Sequence, residues 1–186
     1  MMVELDKENS VGQAGSLPHF SMPTRYQIRL DKEHHVFSAA HFITFAGNIC
    51  ERLHGHNYRV ACEVHGELDE NQYVVDFIAV RDELRKILDE LEHRMLLPAS
   101  HPLIRVASDA KEVTATFSPD GRRWVFPKDD CVILPVANTT AELLANWIGG
   151  RLLDALAQRT GRRPERIQIG VDENNGQWGL CEIAGE

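Results

Sequence analysis

Residues 54–65 alternate between two residue classes in a way that fits one local structure. One row of alternate positions is mostly apolar and consists of His54, His56, Tyr58, Val60, Cys62 and Val64. The intervening row is more polar, with Asn57, Arg59, Glu63 and His65. Because successive side chains of a strand point to opposite faces, the pattern predicts a β-strand with one buried face. Any fold built on this strand must therefore place two imidazoles side by side on that face.

Further strands are expected before and after this one. Alternation from Tyr26 starts a strand that we expect to continue, with a bend, to His41. A Ser-Pro-Asp-Gly turn predicts a β-hairpin over 113–126. Alternation over 167–173 predicts a late strand, and 178–183 is its expected return strand. The strand pairs are joined by short connections, which favours antiparallel pairing.

Two segments have the apolar spacing of helices. The first begins at Asp76, a good N-cap residue, and its apolar positions recur up to His93. The second begins at Thr139 or Thr140, where Thr139 and Glu142 fit a capping box. The order of elements predicts an α+β fold, an antiparallel sheet with two helices on one face and a hairpin inserted between the helices. The open edges of so small a sheet favour assembly into closed oligomers.

Length and composition set the domain organisation. The 186 residues suffice for one domain of ordinary size. Residues 1–23 are polar and contain glycine and proline, so we interpret them as a flexible N-terminal arm. Residues 24–186 are then the single domain, with an insertion at about 98–137 between the helices.

Charge and cysteine usage exclude several function classes. The formal charge of −8 disfavours a nucleic-acid partner, which normally meets a basic face. No apolar run approaches the ~20 residues that span a bilayer. The N-terminus has neither the basic region nor the apolar stretch of a secretory signal. Four scattered cysteines without a CxxC pair fit a reducing, cytoplasmic location and no disulfide framework.

Histidines are unusually frequent and clustered. Six of the nine fall within 34–65, namely His34, His35, His41, His54, His56 and His65. His54 and His56 share a strand face, and a return of the preceding strand would bring His41 alongside them. A catalytic zinc site uses three protein ligands and an open fourth position. Two histidines at a strand end are more often ordinary hydrogen-bonding residues, but a third on a paired strand favours a metal site.

Cys50 precedes the histidine pair by four residues, and three interpretations are open. It could be a fourth zinc ligand that closes a structural site. It could instead be a free thiol whose pKa is lowered by a metal, and so serve as a base or nucleophile. An inert core cysteine is the third interpretation, although Cys62 fits that description better because it lies in the apolar row.

Three other polar residues are candidates for the site. Glu173 ends an apolar row, so its carboxylate either lies in water beyond the sheet or enters a pocket. In a pocket it could accept two hydrogen bonds from the N–H edge of a guanine or pterin. Glu92 and His93 close the first predicted helix, either as a solvated helix end or as a carboxylate-oriented imidazole that moves protons.

Six sequence elements together resemble the 6-pyruvoyl-tetrahydropterin synthase and 6-carboxy-tetrahydropterin synthase family. They are Phe37-Ser-Ala-Ala-His41, Cys50-Glu-Arg-Leu-His54-Gly-His56-Asn-Tyr58, Val75-Asp-Phe77, Leu91-Glu-His93, Thr139-Thr-Ala-Glu142 and Val171-Asp-Glu173. The resemblance covers 26–97 and 134–183. The cysteine–histidine element joined to the upstream Phe-Ser-Ala-Ala-His is highly specific, whereas the later elements are weak alone.

The resemblance implies a tunnelling fold (T-fold), in which subunits assemble into a β-barrel, commonly a hexamer, with active sites between subunits. It implies that the zinc ligands are His41, His54 and His56. Cys50 would be the catalytic base, and His93, oriented by Glu92, its acid/base partner. Glu173 would anchor the pterin ring, with Thr140 and Glu142 lining the pocket, although Glu142 fits the capping box equally well.

The implied reaction uses zinc and a dihydropterin triphosphate. The sequence context favours the lyase that forms 6-carboxy-tetrahydropterin and acetaldehyde, on the route to queuosine. Alternatives are the 6-pyruvoyl-tetrahydropterin synthase, which eliminates triphosphate, and an inactive zinc-bearing pterin- or purine-binding relative. Other relatives have glutamate in place of the catalytic cysteine. Cys50 argues against that class, although the adjacent Glu51 leaves it open as the lesser alternative. The chain departs from the family pattern at Glu92, where aspartate is usual, at Leu97-Pro98, and in the long 98–137 segment.

Overall fold

The computed structural model describes residues 24–47 and 49–185, so the predicted arm at 1–23 lies outside the described residues. The strands are β1 (Tyr26–Leu30), β2 (Val36–His41), β3 (Thr44–Phe45), β4 (Ile49–Cys50), β5 (His54–Gly66), β6 (Arg94–Pro98), β7 (Ile104–Ser108), β8 (Glu112–Phe117), β9 (Arg123–Pro127), β10 (Cys131–Leu134), β11 (Arg166–Asp172) and β12 (Trp178–Ala184). The α-helices are α1 (Phe77–Asp89) and α2 (Ala141–Thr160).

The predicted strand at 54–65 is β5, the centre of the main sheet. The sheet order is β10-β6-β2-β5-β11-β12, with β1 also paired to β5. Both β1 and β2 pair antiparallel with β5, at 62–66 and 54–59 respectively. The expected bend is a turn that separates the two strands, and Val60 donates its backbone N–H to His35 at that point.

Two helices cover one face of this sheet, which confirms the α+β T-fold class. The buried row of β5 packs with α1 and α2 in one apolar core. Asp76 caps α1 by accepting the backbone N–H of Ile78 at 2.9 Å. Gly161 ends α2 with a φ of 71°, a left-handed conformation that glycine adopts without strain. Neither helix in the described part of the chain is long and apolar enough to cross a membrane.

Two helix details differ from the sequence predictions. The first helix ends at Asp89 and not at His93, because the chain must turn there to enter β6. His93 has a φ of 55° in this turn, and its backbone N–H donates to Ser38 at 2.7 Å. The predicted capping box is absent: Thr140 is the N-cap of α2 and makes no side-chain cap hydrogen bond. The Thr139 hydroxyl donates to the backbone of Phe42 instead.

The segment between the helices contains more structure than the predicted hairpin. The hairpin forms as β8 and β9, and β7 extends it to a three-stranded sheet. The strands β6 and β10 join the main sheet through parallel pairs, so the sheet is mixed. A second apolar cluster lies between the small sheet and the main one, and it contains Phe42, Cys50, Met95, Leu97, Ile104, Val113, Ala115 and Phe117.

Gly179 provides a test of how tightly α2 sits on the sheet. A Cβ added there would lie 2.6 Å from the backbone nitrogen of Glu142, whereas one added at Gly150 would meet nothing within 4 Å. We expect Gly179→Ala to lower the free energy of unfolding by about 1–3 kcal/mol, since helix backbone must move. Gly150→Ala, the control, should raise it by about 0.5–1 kcal/mol through helix propensity. Denaturant unfolding measures both, and equal stability of the two variants would contradict the packing.

Candidate metal centre and active site

The structure brings the three predicted ligand histidines together. In the antiparallel register of β2 and β5, His41 lies opposite His54, and His56 follows two residues later on the same face. Ligand atoms of all three lie within 4.8 Å of one another. His41 is 1% exposed, and the other two are partly exposed, so the cluster opens on one side. This is the arrangement that a three-ligand metal site needs.

Backbone carbonyls fix the orientation of two of these rings. Nδ1 of His41 donates to the carbonyl of Thr139, and Nδ1 of His54 donates to that of Arg52, each at 2.8 Å. A carbonyl oxygen only accepts, so the proton is on Nδ1 and the Nε2 lone pair is free for a metal. Burial lowers the pKa of His41 to about 4 and also lowers the pKa of His56. Both rings are therefore neutral near pH 7, which is the metal-binding form.

Glu173 directly follows β11 and lies beside the histidine cluster. Its Oε1 is 3.7 Å from Nε2 of His41 and is buried with no hydrogen-bond partner among the described residues. Burial raises the pKa of this carboxyl group, and the like charges of Glu142 and Glu51 raise it further. A buried carboxylate oxygen with no donor is costly in free energy, so this position suits a ligand that supplies N–H groups.

Two residues near Glu173 were missed by sequence reasoning. The Tyr58 hydroxyl is buried and has no hydrogen-bond partner among the described residues. Tyr58 shares the row of His54 and His56, and this parity could have identified it. The Asp172 carboxylate accepts backbone N–H groups of Asn174, Gly176 and Gln177, and so fixes the turn that begins with Glu173.

The start of α2 also borders the cluster. The Glu142 side chain is exposed and close enough to Glu173 to raise its pKa. Thr140, the N-cap residue, makes no capping hydrogen bond with its side chain within the described part of the chain. Thr139, which was predicted only as a possible cap, is fully buried and supplies the carbonyl that orients His41. The residue that precedes the N-cap of α2 is therefore joined directly to the candidate metal centre.

Cys50 lies outside the ligand cluster in the described part of the chain. The cluster consists of histidines alone, and the Cys50 side chain packs in the second apolar cluster. Burial raises the pKa of its thiol, and the Arg122 guanidinium partly opposes this. The neighbouring Glu51 carboxylate lies 4.0 Å from Nε2 of His54. Of the two candidate bases, Glu51 is therefore directed at a ligand histidine, whereas Cys50 faces the apolar cluster.

Glu92 and His93 form the predicted pair and lie beside Ser38 of β2. Nδ1 of His93 is 3.2 Å from Glu92, whose other oxygen accepts the backbone N–H of Ser38 at 2.8 Å. Glutamate therefore reaches both partners despite the usual aspartate. The His93 side chain is 81% exposed and lines a cleft of about 530 Å³ together with Ser38, Asn57 and the cluster histidine His56. No hydrogen bond joins His93 to Cys50 among the residues described.

Comparison with known proteins gives a consistent result at the sequence level. A family model described as 6-pyruvoyl tetrahydropterin synthase matches residues 29–183. A Methanocaldococcus jannaschii protein provisionally named 6-carboxy-5,6,7,8-tetrahydropterin synthase is 32% identical over 146 residues, covering 78% of this chain and 87% of that protein. The Aquifex aeolicus 6-carboxy-5,6,7,8-tetrahydropterin synthase is 28% identical over 109 residues, covering 58% and 62%.

Solved structures are similar over most of the chain. The 6-pyruvoyltetrahydropterin synthase of Plasmodium vivax superposes with a TM-score of 0.78 at 26% identity and covers 87% of this chain and 99% of that one. The Plasmodium falciparum 6-pyruvoyl tetrahydropterin synthase gives a TM-score of 0.79 at 25% identity, with the same coverage. Mutants of the Plasmodium vivax protein replace a glutamate that is named as a catalytic residue.

The metal ligands can be tested by metal content. We expect His41→Ala and His56→Ala each to lose most bound zinc after dialysis, because two imidazoles leave a three-ligand site incomplete. Cys50→Ala should keep the wild-type zinc stoichiometry, and His34→Ala, an exposed histidine outside the cluster, serves as control. Elemental analysis of the purified variants gives the result. Zinc loss in Cys50→Ala but not in His56→Ala would contradict the assignment.

Proposed function

Because the chain belongs to the 6-pyruvoyl tetrahydropterin synthase family, we propose that it is a zinc-dependent lyase that forms 6-carboxy-5,6,7,8-tetrahydropterin. Its substrate would be 7,8-dihydroneopterin triphosphate and its second product acetaldehyde, on the route to 7-deazaguanine nucleosides such as queuosine. The names of the relatives in Methanocaldococcus and Aquifex support the carboxy-forming reaction. A 6-pyruvoyl-tetrahydropterin synthase and an inactive pterin- or purine-binding protein are the alternatives.

The observation that carries the proposal is that Glu173 lies directly beside the histidine cluster. Three imidazoles with ligand atoms within 4.8 Å adjoin a buried carboxylate oxygen that has no donor. His41, His54 and His56 would hold zinc, which when bound polarises and acidifies hydroxyl groups of a substrate side chain. Glu173, 3.7 Å from His41, would hold the ring to which that side chain is attached. The spacing suits one small substrate that reaches both groups.

Recognition of the pterin ring would rest on Glu173. The ring presents an N3–H and a 2-amino group side by side, and one carboxylate can accept both. Paired, charge-assisted hydrogen bonds orient a ligand strongly. Two donors would also stabilise the ionised form of a carboxyl group whose pKa burial has raised. Thr140 and Glu142, at the start of α2, would line the same pocket.

Proton transfer would be carried by Cys50 and by the Glu92–His93 pair. Cys50 would remove a proton from the substrate side chain, with Glu51 as the second candidate base. His93 is exposed and makes no hydrogen bond to Cys50 of its own protomer among the described residues. We therefore propose that His93 serves the site of a neighbouring protomer, which makes the active enzyme an oligomer, in our proposal a hexamer. Exposed apolar residues on the outer strands, such as Leu180 and Ile133, support assembly.

Product analysis tests the proposed reaction. Zinc-loaded protein incubated with dihydroneopterin triphosphate should release equal amounts of carboxytetrahydropterin and acetaldehyde, measured by liquid chromatography and an aldehyde assay. Pyruvoyl-tetrahydropterin with free triphosphate would select the synthase instead, and binding without turnover would select the inactive protein. Cys50→Ala should abolish turnover while Glu51→Gln retains it. The reverse pattern would assign the base to Glu51.

Glu173→Gln tests the substrate class separately from the metal. An amide offers one acceptor and one donor to two donors, so the loss should be on the order of 1.5–3 kcal/mol per hydrogen bond to a charged group. Pterin affinity in Glu173→Gln should fall almost as far as in Glu173→Ala, with zinc content unchanged. Glu112→Gln, at an exposed glutamate on β8, is the control. Calorimetric titration with a pterin that shows wild-type affinity for Glu173→Gln would remove Glu173 from the site.

A further inference from the structure

The strands β3 and β4 form a very short hairpin that carries Cys50; it is called the Cys50 hairpin below. Each strand has two residues, and Thr44 is the register partner of Cys50. A two-stranded hairpin is marginally stable by itself in water. The position of the Cys50 thiol must therefore be fixed by contacts that the hairpin makes with other elements.

The first of these contacts holds Thr44. Nδ1 of His101 accepts the backbone N–H groups of Leu103 and Ile104 at 2.9 and 3.0 Å. The His101 proton is therefore on Nε2, which donates to the Thr44 hydroxyl at 2.7 Å. The side-chain amide of Asn138 donates to the Thr44 carbonyl at 3.0 Å. His101, near the start of the segment between β6 and α2, and Asn138, near its end, therefore both hold Thr44 on β3 of the hairpin.

The second contact holds Cys50 itself. Nη2 of Arg122, at the turn between β8 and β9, donates to the Cys50 carbonyl at 3.2 Å. The guanidinium lies 5.3 Å from the ring centroid of Phe117 and 5.8 Å from that of Trp124. Its Nε also forms a 2.6 Å ion pair with Asp120. A guanidinium fixed by rings and a carboxylate is preorganised, so it loses little entropy in holding the carbonyl.

The same segment reaches the strand that carries the first histidine. Trp124 stacks on Phe42 with ring centroids 4.3 Å apart, and Phe42 directly follows His41. The Arg122–Trp124–Phe42 stack therefore spans from Cys50 to the end of β2. One rigid unit of the small sheet contacts both the candidate base and the metal-ligand strand.

We propose that Arg122 is a positioning residue, through which the 98–137 segment fixes the position of Cys50 relative to the three histidines. The inference rests on the proposed function, in which Cys50 transfers a proton. Arg122 touches neither substrate nor metal and acts through the backbone of Cys50. Removal of its side chain should leave zinc and pterin binding intact but loosen the Cys50 hairpin, so turnover falls because misplaced catalytic groups react slowly.

Kinetics and hydrogen exchange of Arg122→Ala test this. We expect kcat to fall roughly tenfold or more, with KM within about twofold of wild type and zinc content unchanged. Amide exchange at Cys50 and Glu51, measured by mass spectrometry, should become roughly tenfold faster because the hairpin opens more often. Arg122→Lys keeps a donor and a cation over the rings and should recover most of kcat. Arg123→Ala, at the next residue and exposed, is the matched control.

Wild-type kcat and exchange in Arg122→Ala would overturn the proposal, as would a loss of kcat without faster exchange. If Arg122→Ala does not fold, Arg122→Met carries the test, since it keeps an unbranched apolar side chain against the rings but cannot donate to the Cys50 carbonyl. Unchanged kcat and exchange in Arg122→Met would then overturn the proposal. Cys50→Ala distinguishes a failure of the proposed function from a failure of the Arg122 proposal. Normal turnover in Cys50→Ala would refute the proposed role of Cys50 as the base. The exchange data would still decide whether Arg122 holds the Cys50 hairpin.

Discussion

The register between β2 and β5 is the constraint on which the candidate site depends. It places His41 opposite His54 and sets His56 on the same face. A slip of one residue would turn His41 to the opposite face, away from the other two rings. Apolar burial enforces this register, because Phe37 and Ala39 of β2 share the face of His41 and enter the helix-covered core. The same burial that stabilises the sheet therefore aligns the imidazoles.

The parts of the fold that follow local periodicity were predictable from the sequence. Strict alternation in β5 identified the central strand, and Asp76 identified the start of α1, because cap chemistry is local. Parallel pairing of β6 with β2 and β10 was not predictable, since it depends on residues far apart in the chain. The end of α1 was misplaced for the same reason: the chain turns at His93 to reach Ser38, a partner that no helical spacing indicates.

In the candidate site, too, the features that follow local periodicity were predictable, and those that depend on distant residues were not. The histidine set and Glu173 follow from parity on neighbouring strands, and the structure brings them together. Thr139 could not be identified, because it orients His41 through a backbone carbonyl, which every residue possesses. The location of His93 beside Ser38 was also unpredictable, since it depends on the turn after α1. Arg122 belongs to the same class, because its partner is the backbone of a residue 72 positions away.

X-ray absorption at the zinc edge of the metal-loaded protein tests the central claim most directly. The account requires an open centre built from three imidazoles, with Cys50 near the metal and not bound to it. It predicts three nitrogen ligands and one oxygen ligand at about 2.0–2.1 Å and no sulfur in the coordination shell. A sulfur ligand at about 2.3 Å would contradict the account, because Cys50 would then close the site and could not serve as the base.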